Sequence, residues 1–332
     1  YEIVFGDWSS DVGSSDLLGP SAYCFADYLA ENDYHYWQIL PVTHCGYGDS
    51  PYNPISAFAF NPYLISPDLL YEQGLVSYDE VSAAKIPIAK KVNYPLVYEK
   101  KSILFAKATK SYLVNHDIDP YIQNNATYLK PYLCFLILSE LYGSCSWNNW
   151  PTEHKTYNVQ LFDLLWRSHS DRMKHHAVIQ ALFEEQFEFI VKYIHEKGIK
   201  LIGDLPLYLS YESAEVWAHQ DLFELDILGK RKCVSGVPPD AFSNEGQLWG
   251  NPIYRWDRVK ETDFEIFMNR YSHILRFIDK LRLDHFIGYV NYWQIECPRN
   301  EIPDSAVNGK WVKAPAEEFF SKIGRASCRE RV

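Results

Sequence analysis

The run Lys280-Leu281-Arg282-Leu283-Asp284-His285-Phe286-Ile287-Gly288 constrains this chain more than any other stretch, because charges interrupt what otherwise has the composition of a buried strand. If residues 281–286 are extended, the two-residue period places Arg282 and Asp284 on one face and Leu281 and Leu283 on the other. Strands of a parallel sheet covered on both sides are apolar throughout, so an Arg and an Asp sharing one face require a reason. Two reasons are available. One is a structural ion pair; the other is a carboxylate held ionised by a guanidinium so that it can act as a nucleophile.

The chain around this run has 332 residues, enough for two average domains or for one α/β barrel. Its net charge of −11 and lack of a basic cluster argue against a nucleic-acid partner. Aromatic residues make up 16 %, including 25 Tyr and 10 Trp, and such rings suit sugar faces as well as cores. The seven cysteines are scattered without a Cys-x-x-Cys pair, which suggests neither a zinc site nor a disulfide framework and predicts a reducing cytoplasm. The longest apolar runs are too short to span a bilayer, so no membrane partner is expected.

In chain order, residues 21–31 carry apolar side chains at helical spacing (Phe25, Tyr28, Leu29), and 36–42 form a strand that ends at Pro41. A Gly- and aromatic-rich loop occupies 46–62. From about 65 to 172 helical stretches dominate without a strong strand, which predicts a mainly helical insertion. Residues 178–196 follow the 3.6-residue period and stop at Gly198; 199–205 form a strand; 264–280 form a helix with Phe267, Tyr271, Ile274, Leu275 and Ile278 on one face. This alternation predicts an α/β fold with a parallel sheet and helices outside it. Residues 7–17 and 323–332 resemble translated library-adapter sequence, so the natural sequence is expected to run from about 18 to about 322, as part of a longer protein.

Three further motifs bear on chemistry. Ile202-Gly203-Asp204-Leu205-Pro206 ends a strand with a carboxylate, either a turn residue or a group at the catalytic end of a barrel. Together with Arg282, Asp284 and His285 it predicts two strand ends around one cleft. Gly46-Tyr47-Gly48-Asp49-Ser50-Pro51-Tyr52 forms a tight loop carrying flat rings. Residues 233–252 are punctuated by Gly, Pro and Asp and are too long for a simple connector, which predicts a lid loop bearing Phe242 and Trp249.

As a set, Tyr-Trp-Gln-Ile-Leu-Pro at 36–41, Gly-Tyr-Gly-Asp-Ser-Pro-Tyr at 46–52, Ser-Ala-Phe-Ala at 56–59, Gly-Asp-Leu-Pro at 203–206, the 236–252 stretch and Arg-Leu-Asp-His-Phe at 282–286 resemble the 4-alpha-glucanotransferases. These are the amylomaltases or disproportionating enzymes, glycoside hydrolase family 77 of the alpha-amylase clan. The resemblance runs from about 18 to 322. Arg-x-Asp-His alone would indicate only the clan.

The resemblance implies a single catalytic (β/α)8 TIM-type barrel with helical insertions, here its truncated N-terminal part, acting on alpha-1,4-glucans and maltooligosaccharides without a metal or organic cofactor. It implies Asp284 as nucleophile, Arg282 as its ionic partner and Asp204 as a supporting carboxylate. It also implies glucan contacts for Tyr47, Asp49, Ser50, Tyr52, His285, Asp240, Phe242, Trp249 and Asn251. Ala241 departs from members that carry Tyr there. The resemblance places the family's acid/base glutamate in an Ala-Glu-Asp-Leu-Gly strand soon after the Trp-Val-Lys-Ala-Pro segment and a third carboxylate later in a His-Asp pair, and neither motif follows residues 311–315 here. The chain as written is therefore expected to be inactive and to fold poorly through an unpaired sheet edge. An alpha-glucan hydrolase of the same clan and a non-catalytic glucan-binding fragment are the alternatives.

Overall fold

The computed structural model describes residues 4–5, 18–46, 48–86, 92–143, 145–241 and 243–329. Strands β1 (Val4–Phe5), β2 (Tyr36–Gln38), β3 (Lys200–Leu205) and β6 (Lys280–Leu283) form one parallel sheet in the order β1-β2-β3-β6. A second sheet, antiparallel, joins β4 (Cys233–Val237), β5 (Gln247–Pro252), β7 (Asn291–Glu296) and β8 (Lys310–Lys313) in the order β5-β4-β7-β8.

Helix α1 (Pro20–Glu31) precedes β2, with Pro20 in its first turn, where a missing N–H costs nothing. Its buried face is Ala22, Ala26 and Leu29, whereas Tyr28 is exposed. Between β2 and β3 lie α2 (Pro67–Glu72), α3 (Tyr78–Ala84), α4 (Tyr94–Asn115), α5 (Asp119–Asn124), α6 (Ala126–Tyr142) and α7 (Val159–Glu196). Each start has a physical cause where a cap is present: Ser77 and Glu80 close a capping box on α3, and Asn93 and Asn158 accept N–H bonds at the heads of α4 and α7. Helix α6 is buried nearly all round through Leu129, Tyr132, Leu133, Phe135, Ile137 and Leu138, and it packs on α7. Helix α7 departs from helical geometry at His169, and its second half lays Phe183, Phe187, Ile190 and Ile194 into the core. Gly198, at φ +78°, then turns the chain into β3. After β3 come α8 (Ala214–Ala218), α9 (Trp256–Glu261), α10 (Glu265–Ile274) and, past β8, α11 (Ala316–Arg329).

Three expectations are corrected. Residues 233–252 are not one loop: they form the β4-β5 hairpin, and of its described residues only 238–241 and 243–246 lie outside its strands. Its glycines do not break it, because Gly236 sits at the register shift, where a Cβ would lie 2.3 Å from the Gln247 carbonyl oxygen. The strand expected over 281–286 stops at Leu283, since His285 takes a left-handed conformation at φ 51° and 286–289 form a 3₁₀ turn. The helix expected over 264–280 is only Glu265–Ile274, and Leu275 is exposed. The suspected adapter segment 7–17 lies outside the described residues.

Candidate functional site

The parallel pairing of β3 with β6 sets Asp204 directly opposite Arg282. These strands are 78 residues apart in sequence, and their register brings a buried carboxylate to a guanidinium. Arg282 Nε donates to Asp204 Oδ1 at 3.0 Å, Arg282 Nη2 lies 3.0 Å from Asp204 Oδ2, and the same Nη2 donates to Asp284 Oδ1 at 2.6 Å. One guanidinium fork thus bridges two carboxylates. Their surroundings differ: the Asp204 side chain is 1 % exposed, Asp284 33 % and Arg282 43 %. Hydrogen bonding to Asp204, supported by the charges of both aspartates, holds the Arg282 pKa above its ordinary value against the opposing effect of burial.

The 46–62 loop brings the next group. Tyr52 O–H donates to Asp204 Oδ2 at 2.8 Å, and burial, then the hydrogen bond and charge of Asp204, raises the Tyr52 pKa. Distant buried side chains hold the end of this loop and the residues just after it by their backbone. Gln180 accepts from the Phe60 N–H at 2.7 Å and donates to its carbonyl at 2.9 Å. Gln186 treats Ser66 the same way at 2.7 and 3.2 Å. Lys101 Nζ donates to the Tyr63 and Ile65 carbonyls, each at 2.7 Å. Asp49, at φ 57°, accepts from the Tyr98 hydroxyl, and Ser50 Oγ accepts from the Tyr52 N–H at 3.3 Å.

A third wall comes from β5. The Trp249 ring meets the His285 ring edge-on at 4.7 Å, and Tyr208 is tilted against both. Gly288 makes room for that histidine, because a Cβ there would lie 2.5 Å from His285 Cδ2 and from Leu207 Cδ2. Burial lowers the His285 pKa while Asp284 opposes the shift. Among the described residues, His285 Nε2 is a buried polar atom without a hydrogen-bond partner. Asn251 instead uses its amide to donate to the Leu209 carbonyl at 3.0 Å, which anchors the hairpin to the loop after β3. Asp240 closes the hairpin tip by accepting from the Ser243 N–H at 2.9 Å.

The structure therefore gathers Asp204, Arg282, Asp284, Tyr52, His285 and Trp249 by direct contact. Ser50, Asp49, Asn251 and Asp240 shape the supporting loops through the bonds just given. Tyr47 and Phe242 lie outside the described residues. Sequence reasoning missed Arg270 and Glu215. Arg270 is 1 % exposed and donates to the Pro206 carbonyl at 2.7 Å and the Leu207 carbonyl at 3.3 Å, holding the turn after Asp204. Its signal was an Arg three residues after Phe267 on the apolar face of α10. Among the described residues no group of three His, Cys, Asp or Glu could hold a metal ion, and no helix is long and apolar enough to cross a membrane. Chemically, the site offers a part-exposed carboxylate beside a fixed cation, a buried second carboxylate, a phenol and aromatic walls.

The family model described as 4-alpha-glucanotransferase matches residues 8–332. A 4-alpha-glucanotransferase of Aquifex aeolicus is 38 % identical over 316 residues, which cover 95 % of this chain and 63 % of that protein. The Thermus thermophilus 4-alpha-glucanotransferase is 36 % identical over 92 % of this chain and 61 % of its own length. The structure of an amylomaltase from Streptococcus agalactiae in complex with acarbose superposes with a TM-score of 0.90 at 34 % identity, covering 97 % of this chain and 66 % of that one. The chain spans about three fifths of the length of these curated relatives. With the motif set and the fold in agreement, the chain belongs to the 4-alpha-glucanotransferase family.

Proposed function

We propose that the protein to which this chain contributes transfers alpha-1,4-glucan segments to an acceptor glucan or glucose with retention of configuration. The observation that carries the reading is the Arg282 fork, which holds a buried Asp204 and a part-exposed Asp284 at one strand end. In this reading Asp284 attacks the anomeric carbon, the C–O bond to the leaving glucan 4-oxygen breaks, and a glycosyl ester forms on Asp284. The acceptor 4-hydroxyl then displaces Asp284. Retaining chemistry of this kind places an acid/base carboxyl about 5 Å from the nucleophile to protonate the leaving oxygen and later to deprotonate the acceptor. The family resemblance assigns that role to a glutamate in an Ala-Glu-Asp-Leu-Gly strand.

Arg282 orients Asp284 and stabilises its charge. Asp204 supports Arg282 and Tyr52, Tyr52 and His285 bind the sugar at the reacting position, and Trp249 with the hairpin tip covers the glucan so that an acceptor hydroxyl outcompetes water. The parallel strands are read as consecutive strands of a (β/α)8 barrel in a cytoplasmic enzyme, with 65–172 as its helical insertion and the β4-β5 hairpin as its lid. Incubating the whole protein with maltotriose should yield glucose and longer oligomers, and Asp284→Asn should abolish both. Net gain of reducing ends without longer oligomers would assign a hydrolase instead. Maltooligosaccharide bound without turnover by the whole protein would reduce the reading to a binding module.

A further inference from the structure

The loop carrying Tyr52 is fastened to the chain that follows Asp204 by one buried carboxylate. Glu215, in α8, is 5 % exposed. Its Oε1 accepts the Ser56 hydroxyl at 2.7 Å and its Oε2 accepts the Ala57 N–H at 2.9 Å. Ser56 Oγ in turn accepts the Phe58 N–H at 3.1 Å and the Ala59 N–H at 3.0 Å. Those two amides occupy both lone pairs of the hydroxyl, so its single proton is committed to Glu215. Beside this contact the Ala214 N–H donates to the Ile55 carbonyl at 2.9 Å. Three successive loop residues, 55–57, are thereby seated on the first residues of α8, three positions after Tyr52.

The other side of the joint is equally fixed. Between Asp204 and Glu215, the Pro206 and Leu207 carbonyls are held by Arg270, and Leu207 also accepts from the Tyr254 hydroxyl at 3.0 Å. Tyr52 and Asp204 therefore meet because two segments, 52–57 and 204–215, share a frame whose joint is Glu215. We infer that Glu215 is a positioning residue that sets Tyr52 against Asp204 and does so as an acceptor at both oxygens. An amide cannot replace it, because whichever position the Gln nitrogen takes, it faces a donor with no lone pair to spare. Burial raises the Glu215 pKa, while the Ser56 and Ala57 hydrogen bonds and the Arg270 charge pull it back.

The expected loss of glucan affinity rests on the function proposed above; the geometry of the joint does not, and the test separates the two. The whole protein is labelled with 3-fluorotyrosine, and the Tyr52 fluorine resonance is identified as the one missing from Tyr52→Phe. Glu215→Gln should move that resonance and weaken acarbose binding roughly tenfold in calorimetry, about the loss of one buried hydrogen bond. Because Glu215 acts through Tyr52, Tyr52→Phe/Glu215→Gln should bind no more weakly than Tyr52→Phe alone. An unmoved Tyr52 resonance, or losses that simply add, would overturn the inference. If Glu215→Gln fails to fold, Ser56→Ala is judged by the same two criteria. Absence of acarbose binding by the unmodified protein would count against the proposed function, and the fluorine resonance would still decide the role of Glu215.

Discussion

Asp204→Asn should destabilise the protein more than Asp284→Asn, although the second is the change expected to stop chemistry. Asp204 is the more deeply committed carboxylate, with a side chain 1 % exposed and bonds from Arg282 Nε, Arg282 Nη2 and the Tyr52 hydroxyl. Breaking a buried ion pair by removing one partner costs about 3–5 kcal/mol. Here the figure is smaller, because the Arg282 side chain is 43 % exposed and keeps Asp284 as a partner, so water and the second carboxylate recover part of the loss. An Asn also retains an acceptor for Tyr52 but turns its amide toward the guanidinium, which loses one charge-assisted bond of about 1.5–3 kcal/mol. These bounds place Asp204→Asn at about 2 kcal/mol. Asp284 is 33 % exposed and has one such bond, so its replacement should cost under about 1 kcal/mol. Urea unfolding of the three proteins, compared at equal slope, measures the difference. Equal losses, a reversed order, or an Asp204→Asn loss below about 0.5 kcal/mol would refute the claim that the buried aspartate anchors the fork.

Arg282→Lys should cost about 1–2 kcal/mol by urea unfolding and should weaken acarbose binding, because a single ammonium cannot hold both carboxylates in the fork geometry that the guanidinium spans. In Gly236→Ala the new methyl would lie 2.3 Å from the backbone carbonyl of Gln247, so the β4-β5 pairing should open at a cost of about 1–3 kcal/mol, detected as faster proteolytic cleavage within 233–252. Burial pushes His44 and His273 down to about 3, whereas in the unfolded chain they protonate near 6.5. Between those values the unfolded state binds more protons, so stability falls as pH drops below about 6.5, by up to about 1.4 kcal/mol per pH unit for each histidine. Unfolding free energies at pH 7.5, 6.5 and 5.5 should show this decline, and His273→Gln should make it shallower by one histidine's share while His44 retains the other.

The parts of this site that could be read from the chain alone are those whose chemistry conflicts with their local pattern. Arg282 and Asp284 stood out because charge inside an apolar strand has few explanations, and Asp204 because it ends a strand. What local pattern could not supply was the register: Asp204 faces Arg282 only because β3 and β6 align in parallel across 78 residues, and Arg282 then proved to bridge two carboxylates rather than serve Asp284 alone. The β4-β5 hairpin was hidden for a related reason. Its strands tolerate Gly236, Gly250 and Pro252 through pairing with β7 and with each other, a nonlocal gain that turn-forming composition conceals. Glu215 and Arg270 lay deeper still. A Glu within a helix ordinarily marks a solvated face, and although Arg270 stands on the apolar face of α10, nothing near either residue announces its partners in another segment, Ser56 and the Ala57 amide for one and the Pro206 and Leu207 carbonyls for the other. Both hold irregular backbone beyond the strand ends, where the sheet no longer supplies hydrogen bonds. Residues proposed to touch a sugar can thus be suggested by their type, while those proposed to aim them are recognised from the polar backbone they satisfy.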